Sequence, residues 1–137
     1  MRIENRKARY DYHIEEIFNA GISLLGSEVK SIKDGRAHLT DSFCYFKEGS
    51  LIMKGSFVNS TNPNFSHDPL RERQLLLKEV ELTKLHRGLD KGFTIVPLQM
   101  YASKGWIKVD IALVKGKKEW DKRQTIKDRD LKRESND

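Results

Sequence analysis

Sulfur and proline are nearly missing from this chain, which has one cysteine, Cys44, and three prolines in 137 residues. A single thiol cannot close an internal disulfide and has no CxxC spacing for zinc, so a reducing compartment is implied. Cys44 itself reads as a small buried apolar residue. No run approaches the ~20 apolar residues needed to cross a bilayer. The opening MRIENRKARY carries charge without an apolar stretch behind it, unlike a secretory leader. A cytoplasmic monomer that does not meet a membrane is therefore expected. An acidic excess is also absent: 26 Lys and Arg against 20 Asp and Glu leave a formal charge of +6. That balance favours an anionic partner, because clustered cations release counterions on binding phosphates. The length suits one domain with appendages.

Catalytic patterns are equally scarce. His67-Asp68 has the residue types of a general base with its orienting carboxylate, or of metal ligands. It precedes Pro69 in a loop with no further ligand set, and His13, His38 and His86 fall on other segments without motif spacing. Lys115-Gly116-Lys117-Lys118 lacks the glycine spacing and following Ser or Thr of a P-loop. No catalytic residue, metal or cofactor is expected, and His67 reads as structural or RNA-facing.

What is present is mostly β-patterned. Tyr10 to Leu25 alternates as a half-buried strand bent at Ala20-Gly21. Residues 28–35, EVKSIKDG, predict a two-turn helix capped by Ser27. Ser42 to Lys47 and Leu51 to Val58 predict a hairpin about Glu48-Gly49-Ser50, and Asn59 to Pro69 a loop. Residues 71–88 carry an apolar stripe ending at Gly88, the pattern of an amphipathic helix with a glycine cap. Phe93 to Tyr101 and Trp106 to Lys115 predict a second hairpin, with Ile107, Val109, Ile111 and Leu113 on one face. The fold class expected is mainly β, a small antiparallel barrel of the OB type with one main and one short helix. An SH3-like or split-sheet arrangement fits the periodicity nearly as well.

Two appendages flank residues 10–116. Residues 1–9 form a basic arm, with Arg2, Arg6, Lys7 and Arg9 suited to phosphate contact along an extended segment. Residues 117–137 contain only Trp120, Ile126 and Leu131 as large apolar anchors, too few to fold alone. Glu119 with Arg123 and Asp128 with Lys132 are acid-before-base pairs at helical spacing. A tail that is coil when free and helical when bound is the expectation. Tyr10, Tyr12, Phe65, Tyr101, Trp106 and Trp120 alternate with Lys and Arg as in proteins that stack unpaired bases. Most of them read as core, with Trp120 reserved for stacking or docking.

These strings occur in an order that resembles one family. NRKARYDY at 5–12, FNAGI at 18–22, GSEVKSIKDGR at 26–36, DSF at 41–43, HDPLRERQLLL at 67–77, VPLQMY at 96–101 and VKGKKEWDKRQTIKDRD at 114–130 are similar to small protein B, the tmRNA-binding family of bacteria. The resemblance implies an OB-type barrel that binds the tRNA-like domain of tmRNA and brings alanyl-tmRNA to a stalled ribosome, without being an enzyme. It implies as partners the small-subunit decoding centre and vacant mRNA channel, and elongation factor Tu and alanyl-tRNA synthetase by way of the RNA. Carried over as RNA contacts are Asn5, Arg6, Lys7 and Arg9, then Glu28, Lys30, His67, Arg71 and Arg73, while Leu76 is expected to support the surface. Gly116, Lys117, Lys118, Asp121, Lys122 and Arg123 match the family's GKKxxDKR on the ribosomal side. Trp120 stands where Tyr or His is usual, and Lys127 and Arg129 extend the tail contacts. A carboxylate is usual where this chain has Asn19, which puts any role needing negative charge there in question.

Overall fold

A computed structural model describes residues 2–60 and 67–117. The expectations for Phe65 and for the tail beyond Lys117 (Lys118, Trp120, Asp121, Lys122, Arg123, Lys127 and Arg129 among them) lie outside the described residues. Chain order is β1 (Arg2–Glu4), α1 (Arg6–Asp11), β2 (Tyr12–Ile22), α2 (Gly26–Lys33), β3 (Ala37–His38), β4 (Phe43–Lys47), β5 (Ser50–Lys54), β6 (Phe57–Val58), β7 (Arg73–Leu76), α3 (Glu79–Asp90), β8 (Thr94–Ser103) and β9 (Trp106–Gly116). Strands β8, β4, β5, β7, β2 and β9 follow one another and β9 returns to β8, so the sheet closes into an antiparallel barrel, with β1 lying on the edge of β8. Closure covers the strand edges, as an OB-type barrel requires.

Two hairpins form as the alternation predicts. Their tips are the two-residue turns Glu48-Gly49 and Lys104-Gly105, all four residues with positive φ. That handedness matches the twist of the flanking strands, and glycine supplies it at the second position. Pro97 sits mid-strand beside a bulge, the register of β8 on β9 shifting between Pro97 and Gln99, and bulges are where sheets tolerate proline.

Three segments depart from the expectation. The basic arm is not extended: after β1, Arg6 to Asp11 coil into a third helix. The Asn5 side chain accepts from the Ala8 N–H at 3.2 Å, capping it. The stretch 71–88 is not one helix, because Arg73 and Leu75 are buried while Gln74 and Leu76 are exposed, a period of two that makes β7. Gly88 is not a cap but lies inside α3, buried where a Cβ would fall 2.5 Å from Leu113 Cδ2. At the start of α2, Leu25 occupies the capping position and its N–H donates to Glu28 Oε1 at 2.8 Å, leaving Ser27 for another role.

The core has two parts. Inside the barrel, Phe18, Ala20, Leu51, Met53, Ile95, Val109 and Ile111 pack with Ile32 of α2 and Leu85 of α3. Along β9, Ala112 and Val114 alternate with Ile111 and Leu113 and so face the opposite side. There they meet Val96, Leu98 and Ala8, with Tyr12 against them, so α1 is pinned to the outside of the barrel. Cys44 is buried, and burial holds its thiol far above the usual range.

Candidate nucleic-acid interface

At one end of the barrel, α1 displays its charge and the tail leaves. Arg6 is 87% exposed, Arg9 is exposed, and Lys7 Nζ reaches Asp41 Oδ1 at 2.6 Å, which raises the lysine's pKa. Asn5, expected to touch RNA, is buried instead. Its Nδ2 donates to Pro97 O at 2.8 Å and Leu39 O at 3.2 Å, so its amide ties α1 to β8. Beyond Gly116, the Lys117 N–H donates to Asp11 O at 2.8 Å and its Nζ to Arg9 O at 3.3 Å. The root of the tail is thus fastened to the basic helix.

A second group gathers α2 and the segment before β7. Glu28 and Arg73 are both fully buried, so neither is placed to contact RNA as the resemblance implied. The Glu28 carboxylate accepts from Arg73 Nε and Arg71 Nη2, each at 2.5 Å. Burial pushes the Glu28 carboxyl up, but the bonds from Arg71, the Leu25 N–H and Arg73 outweigh it and hold it below the ordinary carboxylate range. Arg73 spends its other donors on Ser56 O and Oγ and on Pro69 O, leaving no fork for a phosphate. His67 is also turned inward. Its Nε2 donates to Val58 O at 2.9 Å, and Nδ1 pairs with the Ser27 hydroxyl at 2.7 Å. With both ring nitrogens engaged, His67 is not available as a general base. Lys30 is exposed and Arg71 is about one-third exposed, and these two are what this group offers to a ligand.

Sequence reasoning missed a third feature. On the outer face where β2 meets β7 and β9, a groove of about 500 Å³ is lined by Asn19, Gly21, Leu76, Leu77, Lys78, Glu81 and Lys108. Leu76 does not support this surface from below but is 52% exposed on it, and the β7 alternation is the signal that would have placed it there. Asn19 Nδ2 donates to Tyr101 Oη at 2.6 Å and to Asp110 Oδ1 at 2.9 Å, while Gln99 Nε2 donates to Asp110 Oδ2 at 2.6 Å. The negative charge absent at position 19 is therefore present one strand away, on Asp110. Apolar side chains and two lysines, the charge of one offset by Glu81, share this surface with the satisfied Asp110 carboxylate, a mixture suited to the sugar edges and phosphates of a folded RNA.

Of the aromatic residues singled out from the sequence, the four described ones stay out of the barrel interior, Tyr12 packing against the outer part of the core. Tyr10, Tyr12 and Tyr101 are half-buried, and Trp106, at the tip of the second hairpin, is 74% exposed. The barrel interior draws on Phe18, with Phe46 and Phe93 packed against it. Among the described residues, no cluster of His, Cys, Asp and Glu is placed to hold a metal ion, and no helix is long and apolar enough to cross a membrane.

Comparison with known proteins agrees across the chain. A protein described as SsrA-binding from Gloeobacter violaceus is 45% identical over 135 residues, covering 96% of this chain and 89% of that one. One of the same description from Arthrobacter sp. is 47% identical over 134 residues, covering 96% and 86%. A solved chain from a study of tmRNA-SmpB at the center of the bacterial ribosome superposes with a TM-score of 0.68 at 40% identity, covering 86% of this chain and 85% of its own. The model of the SmpB protein family matches residues 2–137, and the chain belongs to that family.

Proposed function

We propose that this protein is an RNA-binding adaptor of trans-translation. It binds the tRNA-like domain of tmRNA and delivers alanyl-tmRNA to the A site of a stalled ribosome in the cytoplasm, so that the nascent chain is tagged for degradation. The observation that carries this reading is likeness to SsrA-binding proteins across barrel and tail alike, at 45–47% identity over 96% of the chain. On this reading the Asn19–Leu76 groove, with Lys30 and Arg71 and the exposed cations of α1, grips the RNA. The tail from Gly116 onward, with Lys117, Lys118, Trp120, Asp121, Lys122 and Arg123 followed by Lys127 and Arg129, enters the vacant mRNA channel as a helix, and Trp120 stacks on a decoding-centre base. Elongation factor Tu and alanyl-tRNA synthetase act through the RNA. The protein supplies shape and charge and makes or breaks no bond.

Truncation after Gly116 separates the two halves of this reading. Affinity for the tRNA-like domain should stay within about threefold, while tagging of stalled chains in a reconstituted translation system should cease. Loss of RNA affinity by orders of magnitude would mean that barrel and tail do not divide the work. A competition assay at fixed salt should also show strong preference for the tRNA-like fold over unstructured RNA, and equal binding would leave only a general single-strand binder.

A further inference from the structure

The residue that begins the tail also completes the helix that carries the RNA-facing cations. The last four carbonyls of a helix have no partner within it. In α1, Ala8 O accepts from the Tyr12 N–H, whereas Arg9 O and Asp11 O are both served from outside by one residue. Lys117 reaches Arg9 O with Nζ at 3.3 Å and Asp11 O with its N–H at 2.8 Å. Its charge also meets the negative end of the helix dipole. Six residues do not hold a helix alone, so these contacts decide whether the last turn stays formed. The two ends of α1 are held differently. The first turn hangs on the buried Asn5 amide, bonded to Leu39 O and Pro97 O, while Tyr10, Asp11 and Lys117 are only half-buried. Just upstream the chain has little freedom, because Gly116 pairs with Tyr12 and Lys115 Nζ lies 4.5 Å from the centroid of the Phe93 ring. Lys117 is the first residue past β9, and its departure costs α1 two hydrogen bonds.

We propose that Lys117 is a positioning residue, which couples the grip of α1 on RNA to the direction in which the tail leaves the barrel. The proposal rests on the RNA-binding reading above. While Lys117 is bonded, the last turn of α1 is complete and Arg9 is fixed relative to Arg6. When Lys117 is released, Arg9 O and Asp11 O lose their donors, the turn frays and Arg9 loses its place. Phosphates held by Arg6 and Arg9 therefore favour the bonded state. By linkage, the bonded tail root favours RNA by the same factor. One lysine at an exposed helix end is a modest contact, so that factor is about two- to threefold. It falls within the threefold window expected for truncation after Gly116. Protein that holds RNA on α1 thus sends its tail out along one path, whereas the empty protein divides between two.

The competing explanation is that Lys117 simply touches a phosphate, and a double-mutant cycle separates the two. Full-length protein is titrated with a tRNA-like domain fragment over a range of salt. Lys117→Ala, which keeps the backbone N–H, should weaken binding about two- to threefold in the parent and leave the salt slope unchanged. In an Arg9→Ala background the same change should have no effect, because the last turn then has no cation to place. An independent reading comes from hydrogen exchange of the ¹⁵N-labelled parent. Its Lys117 amide should exchange more slowly with the fragment bound, by the factor that the cycle gives. Equal losses from Lys117→Ala with and without Arg9, or a salt slope smaller by about one, would make Lys117 an ordinary phosphate contact and overturn the proposal. A Lys117 amide whose exchange ignores bound RNA would overturn it too. In each of these cases the parent still binds the fragment, and the adaptor reading stands. If the parent binds no tRNA-like RNA, the adaptor reading itself has failed and the coupling falls with it.

Discussion

Glu28 shows how a side chain that reads as a surface contact can be internal scaffolding. It stands against two guanidiniums and a backbone N–H, and removing its charge leaves the Arg73 guanidinium buried without a counter-charge. Breaking a buried pair in this way costs about 3–5 kcal/mol, so Glu28→Gln should lower the denaturant midpoint by that equivalent. The pH dependence has a definite sign. The folded-state pKa lies below its ordinary value of 4.5, so the Glu28 contribution is complete above that value and fades as pH falls through the folded pKa. Acid titration of stability should therefore be less steep below pH 4.5 in Glu28→Gln than in the parent. Asn19→Asp tests the neighbouring surface, since it would remove the donor to Asp110 and set two carboxylates side by side. One of that pair should titrate well above the usual carboxylate range, visible by ¹³C NMR of the carboxyl groups.

At the scale of elements, β2 and the strands of the two hairpins were legible, β1, β3 and β7 were not, and the helices were only partly so. Alternation is a strong signal where one face is buried, which is why both hairpins and their turns follow from the residues alone. The triplet Leu75-Leu76-Leu77 carries no period of its own, and read with the downstream stripe it looked helical. What decides for a strand is Arg73, whose burial depends on Glu28, 45 positions away. A long-range ion pair leaves no mark on local periodicity. The helix α1 was hidden for a related reason: six residues cannot hold a helix alone, and α1 persists because Asn5 caps it and Ala8 is buried against β8 and β9. Asn5→Ala should accordingly lose about 1–2 kcal/mol through the cap alone. Gly88 gives α3 its close seat on Leu113. Gly88→Ala should cost about 1–3 kcal/mol by overpacking, and a second change, Leu113→Ala, should recover less than its own cavity cost, so the pair is non-additive in thermal melts.

At the scale of the whole molecule, resemblance to a family named the partners, whereas the inward turn of Asn5, Glu28, His67 and Arg73 became visible only in three dimensions. The outer groove and the root of the tail lie toward opposite ends of the same strand pair. β2 and β9 are registered from Tyr12 opposite Gly116 to Gly21 opposite Lys108, a span of roughly 30 Å at about 3.3 Å per residue. The groove belongs to the C-terminal half of β2, and β9 leads from its C-terminus to the root of the tail, so pulling on the two would load adjacent antiparallel strands in opposite directions. Traction between a held RNA and a held tail would load the whole ladder in shear, every bond at once, instead of peeling it from one end. Such a barrel transmits force as an inextensible strut, and single-molecule pulling between position 21 and the tail root should yield only at forces well above those that unzip β9 from its hairpin tip.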